Sequence, residues 1–187
     1  PDHKEREFLT LDELTAMTEI KLEDPNMAFA RDLFVFGCWT GISFIDTKNL
    51  TEDNISMIND APWIVSKRQK TGVPFQVKLM DIPMQIVERY KPLRKDSHLF
   101  NIGRLDTINK RIKKVAAMCG IKKRISYHVS RHSFAVLSLE YDMPIETVSK
   151  ILGHTNITTT QIYAKVTSSK LEHDISVFES RIKGHLP

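Results

Sequence analysis

Five polar side chains in the last third of the chain stand in one order: His128, Arg131, His132, His154 and Tyr163. They lie in His128-Val129-Ser130-Arg131-His132, in Leu152-Gly153-His154, and at Tyr163, nine residues after His154. Together they suit attack of a phenol on a phosphodiester. The pentacoordinate transition state gathers negative charge on the non-bridging oxygens. An arginine meets it with two parallel hydrogen bonds and a charge that persists. A histidine donates to the same oxygens or exchanges a proton with the phenol, and a lysine can protonate the departing 5′ oxygen. Enough converging cationic donors make a metal unnecessary.

Each residue alone has a plain structural use. A lone helical histidine packs or faces solvent, His154 after Gly153 can cap a helix end, and a lone tyrosine is commonly half-buried core. The joint spacing carries the case. His128 and Arg131, three apart on a helix, share a face, and His132 lies near it. A metal site competes for the histidines: His128 and His132 stand at i and i+4, with His154 as a third ligand. The chain has no His-Glu-x-x-His, and Arg131 would repel a dication.

These residues need a frame. Thr10-Leu11-Asp12-Glu13 reads as a capping box, opening a helix that runs toward Lys21 and ends before Asp24-Pro25. Met27 to about Trp39 has few polar residues beyond Arg31 and Asp32, the pattern of a buried helix. Thr40-Gly41 ends it, and a short helix follows over 42–50 with Ile42, Ile45 and Leu50 inward. The period then changes to that of strands at Ile55–Ile58, Trp63–Ser66 and Phe75–Leu79. Turns at 59–62 and 70–74 join them. Helices are expected near 83–90, 104–118, 128–141, 144–152 and 158–164, with Pro144 in a first turn and Gly153 as a stop. An amphipathic segment over 168–182 carries Leu171, Ile175, Phe178 and Ile182 at helical spacing. The sum is a mainly helical domain with one small antiparallel sheet.

The chain has 187 residues, 41% hydrophobic and 27% charged, as in a globular domain. No apolar run nears the ~20 residues of a membrane span, and nothing resembles a secretory leader. Cys38 and Cys119 read as two reduced thiols of a cytosolic protein, with one disulfide left open. The net charge of +4 is mild, but its placement is not. The first 24 residues hold eight acidic side chains, whereas 104–124 hold eight Lys/Arg against Asp106 alone. Such a segment is the footprint of a phosphate-backbone binder, or simply a solvated face.

The motifs carry a family resemblance. His128-x-x-Arg131-His132, Leu152-Gly153-His154 and Thr158-Thr159-Thr160-Gln161-Ile162-Tyr163 resemble the C-terminal signature of the tyrosine recombinases, the phage-integrase family. Phe8-Leu9-Thr10-x-x-Glu13 resembles the start of that family's catalytic domain, and Thr40-Gly41-Ile42-Ser43 its first catalytic box. Lys67-Arg68-Gln69-Lys70-Thr71 resembles its lysine-bearing β-hairpin. The resemblance implies a 3′-phosphotyrosine bond, a released 5′ hydroxyl, type IB topoisomerase chemistry and no cofactor. By position it makes Tyr163 the nucleophile, Arg131 a phosphate ligand, His128 the acid/base beside it, His154 a phosphate donor and Lys70 the general acid. His132 would pack behind Arg131.

One position departs. The family's first box usually reads Thr-Gly-x-Arg, and this chain has Ser43 where the second phosphate-binding arginine belongs. Integrases of some bacterial conjugative transposons resemble the chain here, with Ser-Phe-x-Asp after the glycine and Arg-Asp-Leu-Phe upstream. The chain could be a DNA-binding module with impaired cleavage, or Ser43 and water could suffice. Alternatively Arg31 or Arg68 could supply the missing charge; Arg31 is the favoured substitute. Lys67, Arg68, Lys78 and the 104–124 segment, with Lys122, Lys123 and Arg124, would hold duplex DNA through its phosphates.

The resemblance further implies a homo-tetramer on paired DNA sites, an accessory DNA-bending protein, and a bacterial, cytoplasmic, nucleoid-associated setting away from membranes. Residues 1–187 would form one catalytic domain lacking an N-terminal core-binding domain. The 168–182 tail would pack on its own core or dock on a neighbouring protomer.

Overall fold

A computed structural model describes residues 6–165 and 168–185. In chain order it contains α1 (Leu11–Glu19), α2 (Pro25–Thr40), α3 (Phe44–Asn49), β1 (Ile55–Ile58), β2 (Ala61–Lys67) and β3 (Pro74–Lys78). Then follow α4 (Asp81–Tyr90), α5 (Leu105–Met118), α6 (Tyr127–Glu140), α7 (Ile145–Leu152), α8 (Thr158–Gln161) and α9 (Ser168–Ile182). The mainly helical architecture with a three-stranded antiparallel sheet is the one expected.

Local chemistry explains the boundaries. At α1 the Thr10 hydroxyl accepts from the Glu13 amide at 3.2 Å, while the Glu13 carboxylate accepts from the Thr10 amide at 3.0 Å. Such a cap is worth about 1 kcal/mol. Helix α2 starts two residues before Met27, because Asp24 caps it and Pro25 fits its first turn. It stops at Gly41, whose φ of 71° is left-handed and where a Cβ would come within 2.6 Å of the Phe134 ring. Ser43 caps α3, so that helix begins later than expected. The later start turns Ile45 outward, 39% exposed, while Ile42 and Leu50 are buried. Phe44 points inward instead, edge-on to Tyr127 at 5.4 Å.

In the sheet, β2 is central, paired with β1 and β3. Asn59 and Asp60 take φ of 50° and 61°, the signature of a two-residue hairpin turn. That tight turn releases Ala61 and Pro62 into β2, so the turn is shorter than the 59–62 expected. The second connection closes earlier than expected: Arg68 donates its amide to Val73 O at 2.8 Å, and Gly72 to Arg68 O at 2.7 Å.

Helix α2 is the axis of the domain. It is buried from Ala30 through Cys38 and packs against α1, α4, α5 and α6. Leu33, Phe34, Phe36, Ile112 and Tyr127 are among the side chains removed from water there, each large apolar one contributing roughly 1.5–3 kcal/mol. A second, small cluster joins α6 to α7 through Phe134, Ala135, Val148 and Leu152, with Tyr163 packed against it. Cys38 and Cys119 are free thiols. Helix α9 buries none of its residues: Leu171, Ile175 and Phe178 are 54%, 64% and 63% exposed. The expectation that this stripe packs on its own core is therefore corrected. Near its start Lys170 and His173 bond Asp142, at 3.3 and 2.9 Å. No described helix is long and apolar enough to cross a membrane.

Candidate active site

Arg131 is the best-fixed group of the set. It projects from the middle of α6, is 6% exposed, and donates Nη1 to Gly41 O at 2.8 Å and Nη2 to Leu152 O at 2.7 Å. Those carbonyls end α2 and α7, so two helix termini with unsatisfied acceptors aim the guanidinium. Burial and the neighbouring Arg68 lower its pKa to about 10, against the pull of Tyr163 and Asp46, so it stays charged at neutral pH.

Arg68 stands beside it. From the loop after β2 it donates Nη1 to Leu152 O at 3.2 Å, the same carbonyl that Arg131 holds, and Nε to Asp46 at 2.9 Å. Asp46 is 4% exposed and also accepts from the Ser43 hydroxyl at 2.8 Å and the Gln69 amide at 2.9 Å. A buried carboxylate thus fixes both the hairpin base and the arginine, and neutralises part of the charge gathered there. Gly153, at φ 67°, makes the approach feasible: a Cβ would sit 3.0 Å from Arg68 Cγ. Ser43 is the cap of α3 and a donor to Asp46.

The structure does not bring Arg31 to this cluster. Its Nη1 donates to the carbonyls of Met17, Thr18 and Ile20 at 3.0, 3.2 and 2.8 Å, closing the end of α1, and its Nε pairs with Asp32 at 2.7 Å. Asp32 also receives Arg89 and Tyr90. The favoured substitute for the missing arginine is thus committed elsewhere, and the other candidate, Arg68, lies at the site.

The histidines differ in their surroundings. His128 reaches solvent at the start of α6. Partial burial and then Arg131, Arg6, Arg68 and Lys70 lower its pKa. His154 follows the α7 stop, and its ring Nδ1 is 2.7 Å from Thr160 Oγ1. Burial, Arg131 and Arg68 depress it to about 4, so it is neutral at pH 7. His132 is buried beside His128 and Tyr163, with ring centroids 4.3 and 5.6 Å away. Tyr163, just past α8, is half-buried. Burial raises its phenol above the usual range, while Arg6 and Arg131 pull the other way.

Lys70 is exposed in the hairpin loop, and Lys67, Lys78, Lys122 and Arg124 are exposed as well. Lys123 is not available as a phosphate contact. Its ammonium binds Phe8 O at 2.9 Å and Glu13 at 2.6 Å, tying the segment before α1 to the α5–α6 loop. Among the described residues one group has metal-ligand atoms within reach of each other, Asp142, His173 and Asp174. All three are exposed, and the Lys170 ammonium already contacts both carboxylates.

Three contributors were not named from sequence. Asp46 was in view as the last residue of Ser-Phe-x-Asp. Thr160, fully buried against His154, sits in a run of three threonines that the chain order alone does not rank. Arg6 reaches the phenol from before α1, with no motif to mark it.

The arrangement offers a buried and a partly buried guanidinium side by side, two neutral histidines and a phenol, with an exposed lysine on the adjoining hairpin. This can hold an anionic tetrahedral group and deliver an oxygen nucleophile to it.

Comparison with known proteins gives the chain a family and its fold a set of relatives. A sequence model of the phage integrase family matches residues 7–170. The tyrosine recombinase XerC of Neisseria meningitidis serogroup B is 29% identical over 166 residues, covering 82% of this chain and 54% of the relative. The tyrosine recombinase XerD of Corynebacterium glutamicum is 31% identical over 141 residues, covering 71% of this chain and 46% of the relative. The chain spans about half the length of the curated relatives it matches. Among solved structures, the XerH site-specific recombinase in a post-cleavage complex with difH aligns over 94% of this chain and 54% of its own, with TM-score 0.76 and 21% identity. The Tn1549 transposon integrase with circular-intermediate DNA aligns over 95% and 68%, with TM-score 0.72 and 17% identity. The catalytic domain of bacteriophage HP1 integrase aligns over 90% and 93%, with TM-score 0.64 and 20% identity. These likenesses extend the fold over nearly the whole chain.

Proposed function

The chain belongs to the phage integrase family, and from that membership we propose that it is the catalytic domain of a site-specific DNA recombinase serving integration and excision of a mobile element. The observation that carries the reading is the pair of guanidiniums, Arg131 and Arg68, sharing Leu152 O beside His154 and Tyr163. Two arginines converging where a phosphate would sit supply what Ser43 cannot.

In this reading a DNA phosphate lies against Arg131 and Arg68, whose remaining N–H groups donate to its non-bridging oxygens. His154, with Nδ1 engaged by Thr160, turns its other ring nitrogen to the same group. The Tyr163 oxygen attacks phosphorus, and its proton passes to His128. The bond to the 5′ oxygen breaks, that oxygen takes a proton from Lys70, and a 3′-phosphotyrosine remains. Attack by a 5′ hydroxyl from a second strand reverses the steps and exchanges the strands. Asp46 acts by holding Arg68. Lys67, Lys78, Lys122 and Arg124 bind duplex phosphates without reading sequence. A tetramer on paired sites, with α9 docked on a neighbouring protomer and an accessory bending protein, fits the exposed stripe Leu171-Ile175-Phe178.

The second reading, a DNA-binding module that no longer cleaves, rests on Ser43 alone. Arg68 beside Arg131 argues against it. A nicked suicide duplex carrying the element's end, incubated without metal and then denatured, separates the two. The proposed enzyme leaves a denaturant-resistant adduct that Tyr163→Phe abolishes. Binding without an adduct on a verified site would favour the module.

A further inference from the structure

His132 is 8% exposed, and neither of its ring nitrogens has a hydrogen-bond partner. Buried polar atoms in native proteins are nearly always paired, so an unpaired ring at a reactive centre calls for an explanation. A neutral imidazole carries one N–H and one lone pair; the Glu7 backbone carbonyl draws on the N–H without completing a bond, and the lone pair is idle.

Its neighbours indicate what could use them. On α6 the ring packs edge-to-face against His128 at 4.3 Å, and across from α6 it meets the Tyr163 ring at 5.6 Å and an interplanar angle of 48°. Adjacent in sequence, Arg131 sends its guanidinium to the ends of α2 and α7, so the phosphate-binding groups do not occupy His132. The titratable and charged groups bearing on it are His128 and Arg131 from α6 and Arg6 from the segment before α1. Burial and these charges keep it neutral at pH 7, the state with a free lone pair.

We propose that His132 is a positioning residue for the nucleophile, its idle ring nitrogen accepting the phenolic hydrogen bond of Tyr163 as the tyrosine docks, before the hydroxyl turns its proton to His128 at attack. The His128 ring packs edge-on against the imidazole and limits its rotation. The orphaned nitrogen is then a seat prepared in advance, filled as the tyrosine docks and vacated at attack. Misplacing a reacting atom by about 1 Å can cost about 10²-fold in rate, so one oriented hydrogen bond is enough to matter. The inference rests on the reading of Tyr163 as nucleophile.

A purely packing role makes the opposite forecast, because a phenyl ring fills the same space. The test compares the parent with His132→Phe, His132→Leu and His132→Gln. It measures thermal melting, binding to the suicide duplex, and single-turnover adduct formation at saturating duplex. The proposal expects His132→Phe to melt at or above the parent, since two orphaned polar atoms disappear. It should bind the duplex equally and form adduct roughly 30–100-fold more slowly. His132→Gln, whose amide can accept the bond, should recover to within about tenfold of the parent. Should the phenyl variant fail to fold, His132→Leu supplies the apolar arm. Parent-like adduct formation by either apolar variant, or no advantage of glutamine over them, overturns the inference while leaving the proposed function intact. No adduct from the parent overturns both.

Discussion

Arg131 projects from the buried helix α6 and Arg68 from the hairpin base, and both are held by carbonyls and a carboxylate from the ends of α2 and α7 and from α3. Tyr163 follows a four-residue helix, rests on a small cluster, and is succeeded by a helix with no buried residue. The charged half of the site is preorganised; the nucleophilic half is lightly attached. The contrast suits the proposed chemistry. Electrostatic stabilisation is most effective when donors need not reorganise, whereas a nucleophile that must attack, carry a DNA strand and release it benefits from low local stability.

The largest effect should come from the clamp. Arg131→Ala should slow adduct formation by more than about 10² in a single-turnover assay. It should also destabilise the fold by about 1–3 kcal/mol in denaturant titration, since Gly41 O loses its buried donor. Arg31→Ala sharpens the comparison by dissociating those two effects. It strips three carbonyls at the end of α1 and leaves Asp32 one partner short, so a loss of about 2–4 kcal/mol is expected. The cleavage rate per folded molecule should not change.

Protonation offers a smaller probe. His132 and His154 are held near 4 in the fold against 6.5 for a free histidine. Between those values the unfolded chain binds more protons, so stability is level above about pH 7 and falls as pH drops from 6.5 toward 4. Each group contributes at most about 1.4 kcal/mol per pH unit. Melting curves of His132→Phe across that window should show a shallower acid decline than the parent. The smallest effect is expected in the lightly attached half. Ending the chain at Thr167 should change stability by no more than about 0.5 kcal/mol, because none of the described residues beyond it is buried. DNA-dependent oligomerisation, followed by light scattering, should nevertheless weaken.

Much of this contrast was legible in the residues. The order of His128, Arg131, His154 and Tyr163 located one site, since helical spacing and glycine stops constrain where such side chains point. The capping box at Thr10 and the strand period over 55–79 gave the frame. The choice between Arg31 and Arg68 was not legible. Both are charged residues near a motif, and only the folded chain shows that the end of α1 needs a donor and that Asp46 faces the hairpin. Ile45 was misplaced because a serine cap two residues into the expected helix resets its face. Lys123 looked like one more basic residue until its partners, Phe8 and Glu13, came from over 100 positions away. Long-range pairings of this kind leave no local trace.

The central claim is that Arg68 supplies the charge absent at Ser43. Single-turnover adduct formation by Arg68→Ala and by the double variant Ser43→Arg/Arg68→Ala tests it most directly. Arg68→Ala should be slower by about 10²–10³, and the double variant should recover a substantial part of that loss. Cleavage by Arg68→Ala at the parent rate would contradict the account.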